Sequence, residues 1–307
     1  LSPNGAFSSV QEIAFKLAYD DSKLLGAFAL SPSILVAVEL NGQADVGHAG
    51  HDEGVYVQLG IQPGFKLFED AKYQYVFRTS PTATMDSVGA ALYVTEMKKN
   101  IKSIAGLNQN YAWGQDSWGD FEAAMKMLVR NVEVKTSQMP KLFAGQYNAE
   151  ISALLGAKAD VIHSSFWNGD LEALILQGGP RGLMKRSLTI LTTGETAMHK
   201  LGSQIPDGTV LGARGPFGPY APNNAYNKWF LSGYQAKFKE QPNYASYQMA
   251  QAFLGVKLAW EKAQDANGGK RPSNEQVAAA LKGSTFEGPG GTVRMAIGKG
   301  HQAIMET

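Results

Sequence analysis

The chain has 307 residues, 44% of them apolar, with 28 basic against 27 acidic side chains and no cysteine. That length is enough for about two domains with a real core. The balanced charge, with no basic run and no acidic tail, argues against nucleic acid or an anionic membrane as the main partner. The lack of cysteine removes thiolate catalysis, zinc–thiolate sites and disulfides.

No apolar stretch approaches the roughly 20 residues that cross a bilayer. The opening LSPNGAFSS has neither the basic nor the apolar region of a targeting signal. Residues 8–21 read as a helix, and 23–47 mix apolar runs with a Ser-Pro-Ser turn whose register stays open. No apolar strand precedes residue 1 and none follows HQAIMET, so the sequence reads as trimmed at both ends. Among five histidines, His48 and His51 are the close pair. With no third ligand near them they read as surface residues, and no metal or cofactor is expected.

From about residue 70 strand-like and helix-like segments alternate, which predicts an α/β architecture with parallel strands. YQYVFRTSP is a short strand closed by Pro81, and 87–100 is a helix with Val88, Ala91, Leu92 and Met97 on one face. KSIAGLNQ is a buried strand, followed by the loop NYAWGQD and a helix over 117–131. The strand NVEVKTSQM, the helix 148–159, the strand DVIHSSFW and the helix 170–182 follow, the last stopped by Gly178, Gly179 and Pro180. LTILTTGE and TVLGARGPFGPY read as further strands. After Pro222 come long helical patterns over 224–238 and 244–264, then a short helix over 274–283 with Ser273 as N-cap. The glycine-rich stretch 288–307 reads as extended.

Catalytic signatures are missing: GxGxxG after a strand, a P-loop, a GxSxG elbow and HExxH are all absent. His163 and Ser164 are adjacent on a strand and so point to opposite faces, which suits a structural histidine better than a nucleophile–base pair.

Ligands of open parallel sheets bind outside the carboxyl ends of the strands. Here those ends deliver Tyr111 and Trp113, Phe166 and Trp167, Glu195 between hydroxyls, and Tyr220. Aromatic rings with one carboxylate suit holding a small molecule better than transforming it. Each also has a structural reading. Tyr111 can cover its loop, one of Phe166 and Trp167 faces the core, and Glu195 can be a helix N-terminal acid. Trp118, one turn into its helix, reads as core.

The series YVFRTSPT, NYAWGQDSWGDFEAAM, TTGETA, YASYQMAQAFLGVKLAWEKA and FEGPGGTVRM…GKGHQAI resembles the type I solute-binding proteins of ABC importers, branched-chain amino acid (Leu/Ile/Val) branch. The resemblance covers roughly residues 70–307. It implies two Rossmann-like α/β lobes with parallel-centred sheets, joined by a three-strand hinge that closes like a Venus flytrap on a ligand in the cleft between them. The lobes expected are 1–80 with 219–285, and 81–218 with 286–307. It also implies that Trp113, standing before Gly114, and Trp167 line the cleft, and that Glu195 grips a ligand ammonium. The usual carboxylate-binding Gly-Pro-x-Ser turn and the NxxGG signature are missing, Ser31 and Ser33 in GAFALSPS being the nearest match.

The expected protein is therefore a periplasmic binding protein, not an enzyme, carrying an amino acid or an aromatic or aliphatic carboxylate to ABC permease subunits. A ligand-sensing regulator on the same fold is the alternative, and a hydrolase using Glu195 is a more distant one.

Overall fold

The computed structural model describes residues 34–39, 55–60, 74–216 and 220–305. The helix expected over 8–21, Ser31, Ser33 and the His48–His51 pair lie outside the described residues. In chain order the elements are β1 (Ile34–Glu39), β2 (Val55–Gly60), β3 (Val76–Arg78), α1 (Ala83–Met97), β4 (Ser103–Leu107), α2 (Ala112–Leu128), β5 (Glu133–Gln138) and α3 (Asn148–Ala157). They continue with β6 (Val161–Ser164), α4 (Asn168–Gly178), α5 (Leu183–Arg186), β7 (Leu188–Leu191), α6 (Glu195–Leu201) and β8 (Val210–Leu211). The last are α7 (Ala225–Phe238), α8 (Tyr244–Ala266), α9 (Asn274–Leu281), β9 (Thr285–Gly288), β10 (Gly291–Ile297) and β11 (Gln302–Met305). The chain divides into unit 1, residues 1–81 and 215–307, and unit 2, residues 82–214.

Unit 2 is a parallel sheet in the order β5-β4-β6-β7-β8 with helices on both faces. Successive strand residues point to opposite faces, and the cores follow that parity. Ile104, Val161 and Ile190 pack with Val94, Trp118, Phe121 and Met125 from α1 and α2. Ala105, Ile162 and Leu191 pack on the other face with Ile151, Leu154, Leu171 and Ile175 from α3 and α4. Trp118 is thus core, as its position in the helix predicts.

Two helices start earlier than their patterns suggest, each for a local reason. Thr82 caps α1, its Oγ1 accepting from the Met85 N–H at 3.1 Å. Helix α2 begins at Ala112, so Trp113 belongs to its first turn and not to a loop. Gly114 permits this: a Cβ there would lie 2.0 Å from the Gln109 carbonyl oxygen, so only glycine lets the helix turn back so tightly on the preceding strand end.

Unit 1 is a mixed sheet in the order β1-β2-β3-β11-β10-β9. β1, β2 and β3 are parallel, β11 joins β3 in parallel through Gln302 and Arg78, and β9–β11 are antiparallel among themselves. Helix α8 buries Met249, Ala252, Val256 and Trp260 against Val277 and Leu281 of α9 and against Phe286, Val293 and Met295 of the sheet. Ser273 starts α9 with a capping box, its side chain and that of Gln276 each bonding the other's backbone N–H.

The C-terminal strands correct the expected partition. The resemblance puts residues 286–307 in the second lobe, whereas β9–β11 complete the sheet of unit 1, where Phe286, Val293 and Met295 pack under α8. Strand pairing is a long-range choice that the local pattern does not record.

Candidate functional site

In unit 2 the chain leaves β4 toward β5 on one side and returns to β6 on the other, so the topological switch point lies between the carboxyl ends of β4 and β6. Crevices outside such points are where α/β sheets bind ligands. The residues there are tied together. Asn108 Oδ1 accepts from both the N–H and the hydroxyl of Ser165 at 2.8 Å, joining the two strand ends. Trp113 donates its indole N–H to the Ser165 carbonyl at 3.2 Å. Trp167 donates its indole N–H to the Tyr111 hydroxyl at 2.9 Å. Each partner starts a helix, since Tyr111 is the N-cap of α2 and Trp167 that of α4, and neither caps with its own side chain.

A charged pair stands beside these rings. Arg214, just past β8, is 1% exposed and its Nε donates to Asp86 of α1 at 2.8 Å. Its guanidinium lies 4.6 Å from the centre of the Trp113 ring, a cation–π arrangement. Burial raises the Asp86 carboxyl above its ordinary range, and Arg214 pulls against that shift by charge and by hydrogen bond. Glu195 opens α6, is 2% exposed, and its N–H donates to the Gly212 carbonyl at 3.1 Å. Asn108 Nδ2 and Gln109 Oε1, both buried, have no hydrogen-bond partner among the described residues.

The expected site residues thus divide. Tyr111, Trp113, Trp167 and Glu195 all lie at carboxyl ends of the unit 2 strands. Phe166 does not join them: it is fully buried in the core over α3 and α4, with its ring 4.8 Å from that of Tyr147. The one-residue offset from Trp167 sends it to the opposite face. Tyr220 is placed apart from these strand ends: β8 ends at Leu211, and Tyr220 belongs to unit 1, where it is 85% exposed.

Sequence reading passed over Arg214, Asp86, Asn108, Gln109 and Asp170. Arg214 stands in a stretch that reads as a strand, but a buried arginine becomes evident only with its carboxylate partner, 128 residues away in sequence. His163 is fully buried, stacked on Phe121 at 4.3 Å and near Trp118, and both its ring nitrogens lack hydrogen-bond partners among the described residues. It is a core residue and takes no part in the site. The described residues contain no group of three or more His, Cys, Asp and Glu able to hold a metal.

This is a doubly wound α/β architecture with aromatic rings and a buried ion pair at the carboxyl ends of its strands, the type I periplasmic binding protein fold. The family model described as periplasmic binding protein matches residues 51–307, and the chain belongs to that family. Its members are binding proteins and not enzymes.

Among curated proteins, the leucine-, isoleucine-, valine-, threonine- and alanine-binding protein of Pseudomonas aeruginosa is 24% identical over 246 residues. That match covers 79% of this chain and 61% of the relative, so the chain spans about three fifths of the relative's length. Among solved structures, the amino acid ABC transporter substrate-binding protein of Pseudomonas fluorescens Pf-5 superposes with a TM-score of 0.74 at 17% identity, over 98% of this chain and 75% of that one. A solute-binding protein of an ABC transporter from R. palustris, in complex with benzoate, gives a TM-score of 0.74 at 17% identity, over 99% and 79%. Those superpositions show a shared fold.

Proposed function

We propose that the chain is the extracytoplasmic solute-binding protein of an ABC importer, which captures a small amino acid or a related aromatic or aliphatic carboxylate and hands it to the permease in the periplasm. The observation that carries this reading is the switch-point constellation: Tyr111, Trp113 and Trp167 held by fixed hydrogen bonds, with Glu195 and the Arg214–Asp86 pair at neighbouring strand ends. Family membership supports it, as do the relatives whose names state amino acids and benzoate.

In this proposal the rings supply contact area at low entropic cost. Glu195 meets an ammonium where the ligand has one, and the orphaned polar atoms of Asn108 and Gln109 meet its polar groups. Ser31 and Ser33 stay proposed as contacts for the ligand carboxylate. Closure around the bound solute, as the family resemblance implies, removes water and strengthens each contact. No bond is made or broken.

Native mass spectrometry of the purified chain, followed by a thermal-shift screen with leucine, alanine, threonine and benzoate, tests the reading. A ligand at about 100 times its Kd stabilises the folded state by about 2.7 kcal/mol and raises the melting temperature by several degrees. A chain that carries no small molecule and responds to none of the panel refutes the proposed ligand class.

A further inference from the structure

Phe143, in the loop between β5 and α3, has a left-handed backbone with φ of 58°. That conformation is costly for a residue with a Cβ and rare for a bulky one. Its ring is also 62% exposed. The surroundings hold the loop in this conformation. Asp170, itself buried, accepts from the Phe143 N–H at 2.9 Å and from Gln109 Nε2 at 2.8 Å. Further along the loop, Gln177 donates to the Gly145 carbonyl at 2.9 Å and accepts from the Tyr147 N–H at 2.8 Å. So clamped, the Phe143 ring meets Trp167 edge to face, 5.5 Å between centres at 78°.

Strain held in place by a buried carboxylate points from an observed outlier to a function. Two rings at nearly a right angle form a corner. A third flat ring can stack on one wall and meet the other edge-on, matching the quadrupoles of both. A branched alkyl group in the same corner gains contact area only. Trp167 is itself oriented by its bond to Tyr111, so the corner belongs to the switch-point site.

Resting on the solute-binding reading above, we propose that Phe143 is a specificity-determining residue, completing with Trp167 an aromatic corner that selects a planar aromatic carboxylate over an aliphatic amino acid. Asp170 is the positioning residue that holds it there.

Isothermal titration of the full chain with benzoate and with L-leucine tests this on the wild type, Phe143→Asn, Phe143→Leu and Trp113→Ala. Asparagine tolerates the left-handed backbone, and leucine keeps apolar bulk without a ring. The wild type should prefer benzoate, and both Phe143 variants should lose about tenfold in benzoate affinity with less than about threefold for leucine. Equal losses for both probes, an undiminished benzoate affinity, or a wild type that prefers leucine overturns the assignment of Phe143. Trp113→Ala separates that failure from failure of the site. If the wild type binds and Trp113→Ala weakens neither probe, the switch-point site is misplaced, and a wild type that binds neither probe sinks both readings.

Discussion

His163 offers the sharpest physical test of unit 2. Its ring is fully buried, stacked on Phe121 and near Trp118, with no hydrogen-bond partner for either nitrogen among the described residues. Burial disfavours the charged imidazolium and pushes its pKa from 6.5 down to about 3. In the unfolded chain the ring ionises at its ordinary value. Above pH 6.5 it is neutral in both states and costs nothing.

As the pH falls below 6.5 the unfolded state takes up a proton that the folded state refuses, and stability drops until the folded ring titrates near pH 3. Each pKa unit is worth about 1.36 kcal/mol, so the whole window amounts to about 5 kcal/mol and the step from pH 7.5 to 4.5 to about 2.7 kcal/mol. Urea unfolding at those two pH values, followed by tryptophan fluorescence, should show the wild type losing about 2.7 kcal/mol more than His163→Phe on acidification. Any overpacking by the larger ring costs about 1–3 kcal/mol, but equally at both pH values. If wild type and variant show the same acid dependence, the imidazole is not the buried neutral group described.

Trp113→Ala should weaken ligand binding by about 2–4 kcal/mol in a calorimetric titration, the size typical of truncating a buried aromatic, and an unchanged affinity removes Trp113 from the site. Glu195→Gln should reduce affinity for ligands carrying an ammonium and spare purely anionic ones, so an equal loss in both classes refutes its role. Breaking the buried ion pair from one side, by Arg214→Met or Asp86→Leu alone, should cost about 3–5 kcal/mol of folding stability in urea, and the double variant much less. Additive losses in the double variant contradict the pairing. Gly114→Ala should lower the melting temperature and blue- or red-shift tryptophan emission, because its methyl group would meet the Gln109 carbonyl at 2.0 Å. A variant that melts and emits like the wild type rules out that close approach.

Legible in the sequence were the α/β alternation, strands β4–β7 of unit 2 and, to within a turn or so, helices α1–α4, because period-2 and period-3.6 burial are written into neighbouring residues; the short α5 and α6, and the end of β8 at Leu211, were not. The sequence also placed Tyr111, Trp113, Trp167 and Glu195 at the ends of strands, since a strand end follows from local pattern. The boundaries it missed depended on contacts just outside the pattern: the Thr82 cap, and the tight turn that Gly114 allows. Only long-range packing settles which of Phe166 and Trp167 faces the core, that Arg214 pairs with Asp86 beside Trp113, and that β9–β11 belong to the sheet of unit 1. Each of these is a pairing between residues far apart in the chain. Its energy comes from the partner, and a partner leaves no mark on the local spacing of apolar and polar residues.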